Sequence, residues 1–188
     1  MTTAGILLAA GRGRRFDSSG ERNKLLETVA GIPVAVASAR AMLAVLPQVI
    51  AVVAPLDGGV AQALRAAGCE VVVCADADTG MAASLVHAVR HSLPGASAWL
   101  IALADMPFVA PSTIGALCAA LDAGADIAAP VLGGRRGNPV AFSAVYLPEL
   151  LALAGDQGAR SIVRTNRVID VAVDDPGIFR DVDTPSDL

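Results

Sequence analysis

Thirteen arginines and a single lysine supply the basic charge of this 188-residue chain, and five of these fourteen residues lie close together. They are Arg12, Arg14, Arg15, Arg22 and Lys24, interleaved with Gly11, Gly13 and Gly20, directly after an apolar run. Glycines let a backbone approach an anion closely, successive amides can form an anion nest, and positive side chains complete the cradle. Lys24 is a lysine where the chain otherwise uses arginine, which favours a compact phosphate contact there. The competing reading is a basic surface loop. A nucleoside-triphosphate P-loop is excluded, because Lys24 follows Asn23 and precedes Leu25. The dinucleotide fingerprint fails too: Phe16 stands where its third glycine belongs, and Ala54 and Pro55 replace the acidic ribose contact.

Asp105 is the most pointed carboxylate. It closes the apolar run Trp99 to Ala104, and ligands of open α/β sheets gather at the carboxyl ends of strands. There it either holds Mg²⁺ against substrate phosphates or caps the following turn. The tail carries Asp174, Asp175, Asp181, Asp183 and Asp187. Most of these read as solvated surface acids, but the tight Asp181-Val182-Asp183-Thr184-Pro185 turn can hold Asp183 in place. A basic loop with two placed carboxylates suggests metal-assisted chemistry on a polyphosphate. Weaker candidates dissolve on inspection. His87 and His91 have zinc-like spacing but lack the accompanying glutamate, and fit a polar helix face. Cys69, Cys74 and Cys118 form no CxxC pair and read as free, at least partly buried thiols. No GxSxG motif surrounds Ser84, Ser97 or Ser143.

The elements that must position these residues alternate between aliphatic strands and alanine-rich helices, the rhythm of a parallel sheet. Strands are expected over Gly5–Ala9, Gln48–Ala54, Glu70–Ala75 and Trp99–Ala104. Helices are expected over Pro33–Leu46, Gly59–Ala67, Met81–Ser92 and Ser112–Ala123. After residue 125 the rhythm changes to a strand over Asp126–Val131, a glycine-arginine excursion, and a strand over Asn138–Ser143. A short helix over Val145–Leu153, a helical stretch opened by Gly155 to Arg160, and a last strand over Arg167–Val173 follow. No repeat or long linker divides the chain, so residues 1–188 read as one α/β domain.

Composition agrees with that frame. Hydrophobic residues make up 54% and charged residues 17%, which excludes general disorder. A net charge of -4 disfavours nonspecific nucleic-acid binding. The longest uncharged apolar stretch, Ala41 to Leu56, is broken by Pro47 and Pro55 and falls short of a membrane span. The basic residues follow the first apolar segment instead of preceding it, unlike a signal peptide. A cytoplasmic protein is expected.

The run Leu8-Ala9-Ala10-Gly11-Arg12-Gly13-Arg14-Arg15-Phe16, followed by Asn23-Lys24-Leu25-Leu26, resembles the signature loop of Rossmann-like nucleotidyltransferases. Further blocks resemble the same family in the same order: Thr79-Gly80-Met81 with Ser84-Leu85, Leu103 to Pro107, Gly134 to Val140, Gly155 to Arg160, and Asp181 to Pro185. The nearest branch is the molybdenum-cofactor cytidylyltransferases, because the loop carries Leu-Ala-Ala-Gly where the guanylyltransferases typically carry Leu-Ala-Gly-Gly. The resemblance implies a GT-A-like, three-layer α/β/α fold with a mostly parallel mixed sheet. It also implies Mg²⁺-dependent transfer of CMP from CTP to the terminal phosphate of molybdopterin, with release of pyrophosphate.

By resemblance, Gly11, Gly13, Arg15 and Lys24 hold the triphosphate, and Leu8, Ala9, Ala10 and Gly80 line the nucleotide site. Arg15, Lys24 and Asp105 take the catalytic roles, Asp105 and Asp183 hold the metal, and Asn138, Asp156 and Arg160 face the acceptor. The product would go to an apoenzyme of the xanthine-dehydrogenase type or to its chaperone. GTP, a sugar or polyol phosphate acceptor, and a non-catalytic cofactor carrier are the alternatives. Asp17 departs from the family's usual glycine and implies a reshaped phosphate loop.

Overall fold

The computed structural model describes residues 2–11, 13, 16–17, 22–156 and 158–188. In chain order the elements are β1 (Thr3–Leu8), β2 (Thr28–Val29), β3 (Ile32–Pro33), α1 (Val34–Leu43), β4 (Val49–Val53), α2 (Val60–Ala67), β5 (Glu70–Val73) and α3 (Met81–Ser92). They continue with β6 (Ala98–Leu103), α4 (Pro111–Asp122), β7 (Ile127–Leu132), β8 (Arg135–Arg136), β9 (Val140–Ser143), α5 (Leu147–Leu151), α6 (Arg160–Thr165) and β10 (Ile169–Ala172).

The main sheet runs β10-β7-β9-β6-β1-β4-β5, with β8 paired to β7. β1 pairs in parallel with both β4 and β6, β4 with β5, and β7 with β10, while β9 runs antiparallel between β6 and β7. This is the expected mixed, mostly parallel sheet, and α1, α2 and α4 cover one face while α3, α5 and α6 cover the other. The two-residue alternation of strands builds both cores at once. In β4, Val49, Ala51 and Val53 pack with Met42, Leu64 and Leu117, whereas Ile50 and Val52 pack with Leu85, Trp99 and Phe142. Strands buried on both faces read as continuous apolar runs, which is why Val49–Val53 shows no polar residue.

Boundaries shift where local chemistry intervenes. The helix expected to reach Leu46 ends at Leu43, because Val45 and Leu46 both bond back to Met42 in a tightening turn before Pro47. The β2–β3 hairpin was not expected at all. Two-residue strands have no readable period, and their turn uses Ala30 and Gly31, both at positive φ. No helix among the described residues is long and apolar enough to cross a membrane.

Candidate functional site

The carboxyl ends of β1 and β6 lie side by side at the centre of the sheet, and the chain keeps its order just beyond them. Ala104 N–H donates to the Leu8 carbonyl at 3.0 Å, and buried Ser38 on α1 donates its hydroxyl to the Ala104 carbonyl at 2.9 Å. Asp105 therefore leaves β6 from a fixed backbone. Its own carbonyl accepts from Val182 N–H at 2.8 Å, which docks the tail against the sheet end. Val182 is fully buried, and in an extended segment its neighbours Asp181 and Asp183 project to the opposite side. Asp187 pins the turn that follows, accepting from the Asp183 and Thr184 amides at 3.1 and 2.7 Å and from the Thr184 hydroxyl at 2.8 Å. These bonds hold the Asp187 carboxyl below its ordinary value, the Thr184 hydroxyl contributing most.

Carboxylate oxygens of Asp105, Asp181 and Asp183 lie within 4.8 Å of one another. Lys24 reaches into this cluster with Nζ 2.7 Å from Asp105 Oδ2 and 3.2 Å from Asp183 Oδ1. The lysine is only 7% exposed, so its charge acts where water screens little. Burial pushes the Asp181 carboxyl up, and the negative charges of Asp183 and Asp105 push the same way. Asn23 fixes the approach of Lys24: its side-chain amide donates to the Asp57 carbonyl at 2.9 Å and its oxygen accepts from Leu25 N–H. Gly13, at φ +58°, lies over the Lys24 stem, and a Cβ there would sit 3.3 Å from Lys24 Cγ.

A cleft of about 650 Å³ opens beside the cluster, lined by Leu8, Ala10, Gly11, Ala77, Asp78, Gly80, Met81, Ser84, Leu103, Asp105 and Asp156. Two separate sequence blocks meet in its wall. Gly80 has φ +131°, and a Cβ there would stand 2.5 Å from the Gly155 carbonyl oxygen and 2.6 Å from Asp156 Oδ1. Only glycine permits that approach, which Ala82 N–H secures by donating to the same carbonyl at 3.1 Å. Asp156 thus lines the same cleft as Ala10 and Asp105, while Asn138 and Arg160 line a neighbouring cleft of about 370 Å³. Asn138 is set there by its N–H bond to the Ile178 carbonyl at 3.0 Å.

Of the residues singled out from sequence, Leu8, Ala10, Gly11, Gly80 and Asp105 share the first cleft, and Lys24 and Asp183 join Asp105. Ala9 is buried beneath it, donating its N–H to the Val52 carbonyl at 2.9 Å. Arg12, Arg14 and Arg15 lie outside the described residues.

Four expectations change. Arg22 does not join the phosphate cradle: its guanidinium forks onto Glu27 with two bonds of 2.9 Å and lies over the Phe16 ring. Asp17, where the family's usual glycine would stand, accepts from Arg22 N–H at 2.8 Å, a contact that glycine cannot make. Asp181, expected among solvated surface acids, belongs to the carboxylate cluster. Asp175 is no surface acid either. It is 6% exposed and accepts from Ala110 N–H, the Thr113 hydroxyl and Gly177 N–H at 2.9, 2.6 and 2.9 Å. The period-two spacing of Asp181 and Asp183 around an apolar Val182 was the available signal for the third carboxylate. Asp175 offered only the local Asp-Pro cap signal that accounts for its bond from Gly177 N–H, because its other two donors, on Ala110 and Thr113, lie 65 and 62 residues away.

PucB, a purine catabolism protein of Bacillus subtilis, is 33% identical over 119 residues that cover 61% of this chain. The chain spans 57% of the length of that relative. Rv0371c of Mycobacterium tuberculosis superposes with a TM-score of 0.83 at 32% identity, covering 100% of this chain and 95% of the other. A second structure of Rv0371c, in complex with manganese, superposes at 0.77 with 30% identity over 100% of this chain and 96% of that one. Mth528, a nucleotidyl transferase from Methanothermobacter thermautotrophicus, gives 0.83 at 26% identity over 99% of this chain and 94% of its own. Residues 5–171 match the MobA-like NTP transferase domain, and with that match, covering most of the sheet and the glycine-rich loop, this chain belongs to the MobA-like NTP transferase domain family.

Proposed function

We propose that this chain is a cytidylyltransferase of molybdenum-cofactor assembly, with residues 1–188 acting as one domain. A terminal phosphate oxygen of molybdopterin attacks the α-phosphorus of CTP, one P–O bond forms, and the bond to the departing pyrophosphate breaks. The observation that carries nucleotidyl transfer is Lys24 joined to Asp105 and Asp183 at the edge of the cleft lined by Ala10, Gly11 and Gly80.

Asp105, Asp181 and Asp183 fit a divalent cation, since they offer hard oxygen donors within reach of one another and include no histidine or cysteine. The manganese complex of Rv0371c supports that fit. When bound, Mg²⁺ would offset negative charge growing on the transferring phosphate. The Gly11 and Gly13 backbone with Arg15 holds the triphosphate, and Ala9, Ala10 and Gly80 hold the base and ribose. Lys24 supplies a buried positive charge to the phosphate chain. Asn138, Asp156 and Arg160 bind the acceptor, Asp156 from the wall of the first cleft and the other two from the second. No protein nucleophile is needed, because positioning and charge account for phosphoryl-type transfer. The product passes to an apoenzyme of the xanthine-dehydrogenase type, or its chaperone, in the cytoplasm.

Base choice rests on Ala10, whose methyl group lines the cleft where a glycine would leave more room for a purine. Pyrophosphate release is measured with each of the four nucleoside triphosphates, with and without molybdopterin. A preference for CTP over GTP of at least about tenfold in kcat/KM is expected. Equal use of both overturns the cytidylyl assignment, and turnover only with a sugar or polyol phosphate overturns the acceptor.

A further inference from the structure

The second cleft has a chemistry of its own. Its floor is apolar, from Leu85, Ile101, Val140 and Phe142, and its polar lining is Asn138 with Arg136, Arg160 and Arg164. Among the described residues no acid lines it, whereas Asp78, Asp105 and Asp156 line the first cleft and no basic residue does. The clefts share Leu8, Met81 and Leu103 as a common wall, so one molecule can extend from one into the other.

The three arginines are not equivalent. Arg136 is paired with Asp170. Arg160 and Arg164 stand four apart on α6, hence on one face, with side chains as close as helical neighbours come. Among the described residues no ion pair or side-chain hydrogen bond engages either guanidinium. Like charges at this spacing oppose each other unless an anion lies between them. Guanidinium groups match carboxylate, phosphate and sulfonate oxygens with paired N–H donors.

Asp105 lines only the first cleft, and Arg160 and Arg164 line only the second. An anion held by these arginines is therefore not the phosphate reacting beside Asp105. Resting on the nucleotidyl-transfer reading, we propose that Arg160 and Arg164 select an acceptor bearing a second anionic group, apart from its attacking phosphate, on an apolar body of ring size. A volume of about 370 Å³ lies within the range of clefts that take small organic molecules. The pair then acts as a specificity device: it recognises the far end of the acceptor and leaves the phosphate chemistry to the first cleft.

The test separates this inference from the transfer reading. Binding of naphthalene-2-sulfonate and of uncharged 2-naphthol is measured by calorimetry on the full chain, on R160Q/R164Q, and on each single variant. The parent should prefer the sulfonate by at least about tenfold, the scale of a charge-assisted contact. The double variant should lose that preference to within about twofold. CTP affinity should stay within about twofold in all variants, since neither arginine lines the nucleotide cleft. In turnover with molybdopterin, R160Q/R164Q should raise KM with kcat nearly unchanged. A parent preference below threefold, or one that survives in both single variants and the double, overturns the proposal. A loss of kcat at unchanged KM does so as well, because the arginines would then serve the attacking phosphate. Absence of CTP binding and of pyrophosphate release in the parent would instead defeat the transfer reading and leave the probe preference to be judged alone.

Discussion

The acidic cleft and the arginine-lined cleft share a wall, yet they are assembled in opposite ways. The acidic site draws Asp105 from the end of β6, Lys24 from the loop after β1, and Asp181 and Asp183 from the tail. Its charges are brought together by docking, through the Val182 N–H bond to the Asp105 carbonyl. The basic cleft takes Arg160 and Arg164 from a single six-residue helix and Arg136 from one short strand. Concentrated carboxylates repel each other and need a cation, so the first site is costly to hold without Lys24 or a metal. Exposed arginines cost little to display. The difference teaches that one set of charges depends on tertiary docking for its geometry while the other is displayed by a single peripheral helix; on the reading proposed above, the first serves the reaction and the second the choice of acceptor.

The strongest test of this contrast is to break the acidic site. Lys24→Ala should lower nucleotidyl transfer by about 10²-fold or more with the fold retained, and Lys24→Arg should recover only part of it. Asp105→Ala and Asp183→Ala should each remove most turnover and raise the Mg²⁺ needed for half-maximal rate. Their double variant should be little worse than the worse single, since residues acting as a unit are not additive. Additive losses in Mg²⁺ titrations would mean that the carboxylates serve different ends.

A smaller effect is expected at Asp181, which stands in the cluster but more exposed than its partners. Asp181→Ala should raise the half-maximal Mg²⁺ concentration by about tenfold, with maximal rate at saturating metal largely kept. Asp174→Ala is the control and should match the parent in both. A Mg²⁺ curve for Asp181→Ala that overlies the parent's would remove it from the site.

The smallest effect on turnover belongs to Asp175, buried away from both clefts. Asp175→Ala leaves three donors without their acceptor and should cost about 3 kcal/mol, lowering Tm by about 6–12 °C. Below its melting range the variant should keep the parent's rate and Mg²⁺ dependence. Calorimetry paired with the rate assay checks this, and a changed metal requirement would tie the tail's anchoring to the acidic site more closely than the contacts imply.

Much of this architecture is legible in the residues themselves. Helix α3 starts and ends where Gly80 and the alanine-rich period put it, and the strands that carry the site show as apolar runs because both faces are covered. Lys24 and Asp105 stand out by type and position alone. Less was legible where residues act at a distance. Arg22 looks like a phosphate ligand until Glu27 and Phe16 claim it, and Asp175 looks solvated until Thr113 and Ala110 surround it. The β2–β3 hairpin escaped because two residues cannot display a period.

By itself the sequence determined the alternating α/β order, the glycine-rich loop after the first strand, and the residue types available for chemistry. Period, turn composition and charge are local properties, and they are written in neighbouring positions. Only the tertiary structure decided that Asp181 joins Asp183 and Asp105, that Gly80 must yield to the Gly155 carbonyl, and that acid and base divide between two clefts. Those outcomes depend on which strand ends meet and on what a buried Val182 pulls in with it. Contacts between distant segments follow from the packing of the whole sheet; a local pattern such as Asp181-Val182-Asp183 shows which side chains share a side, not what they meet there.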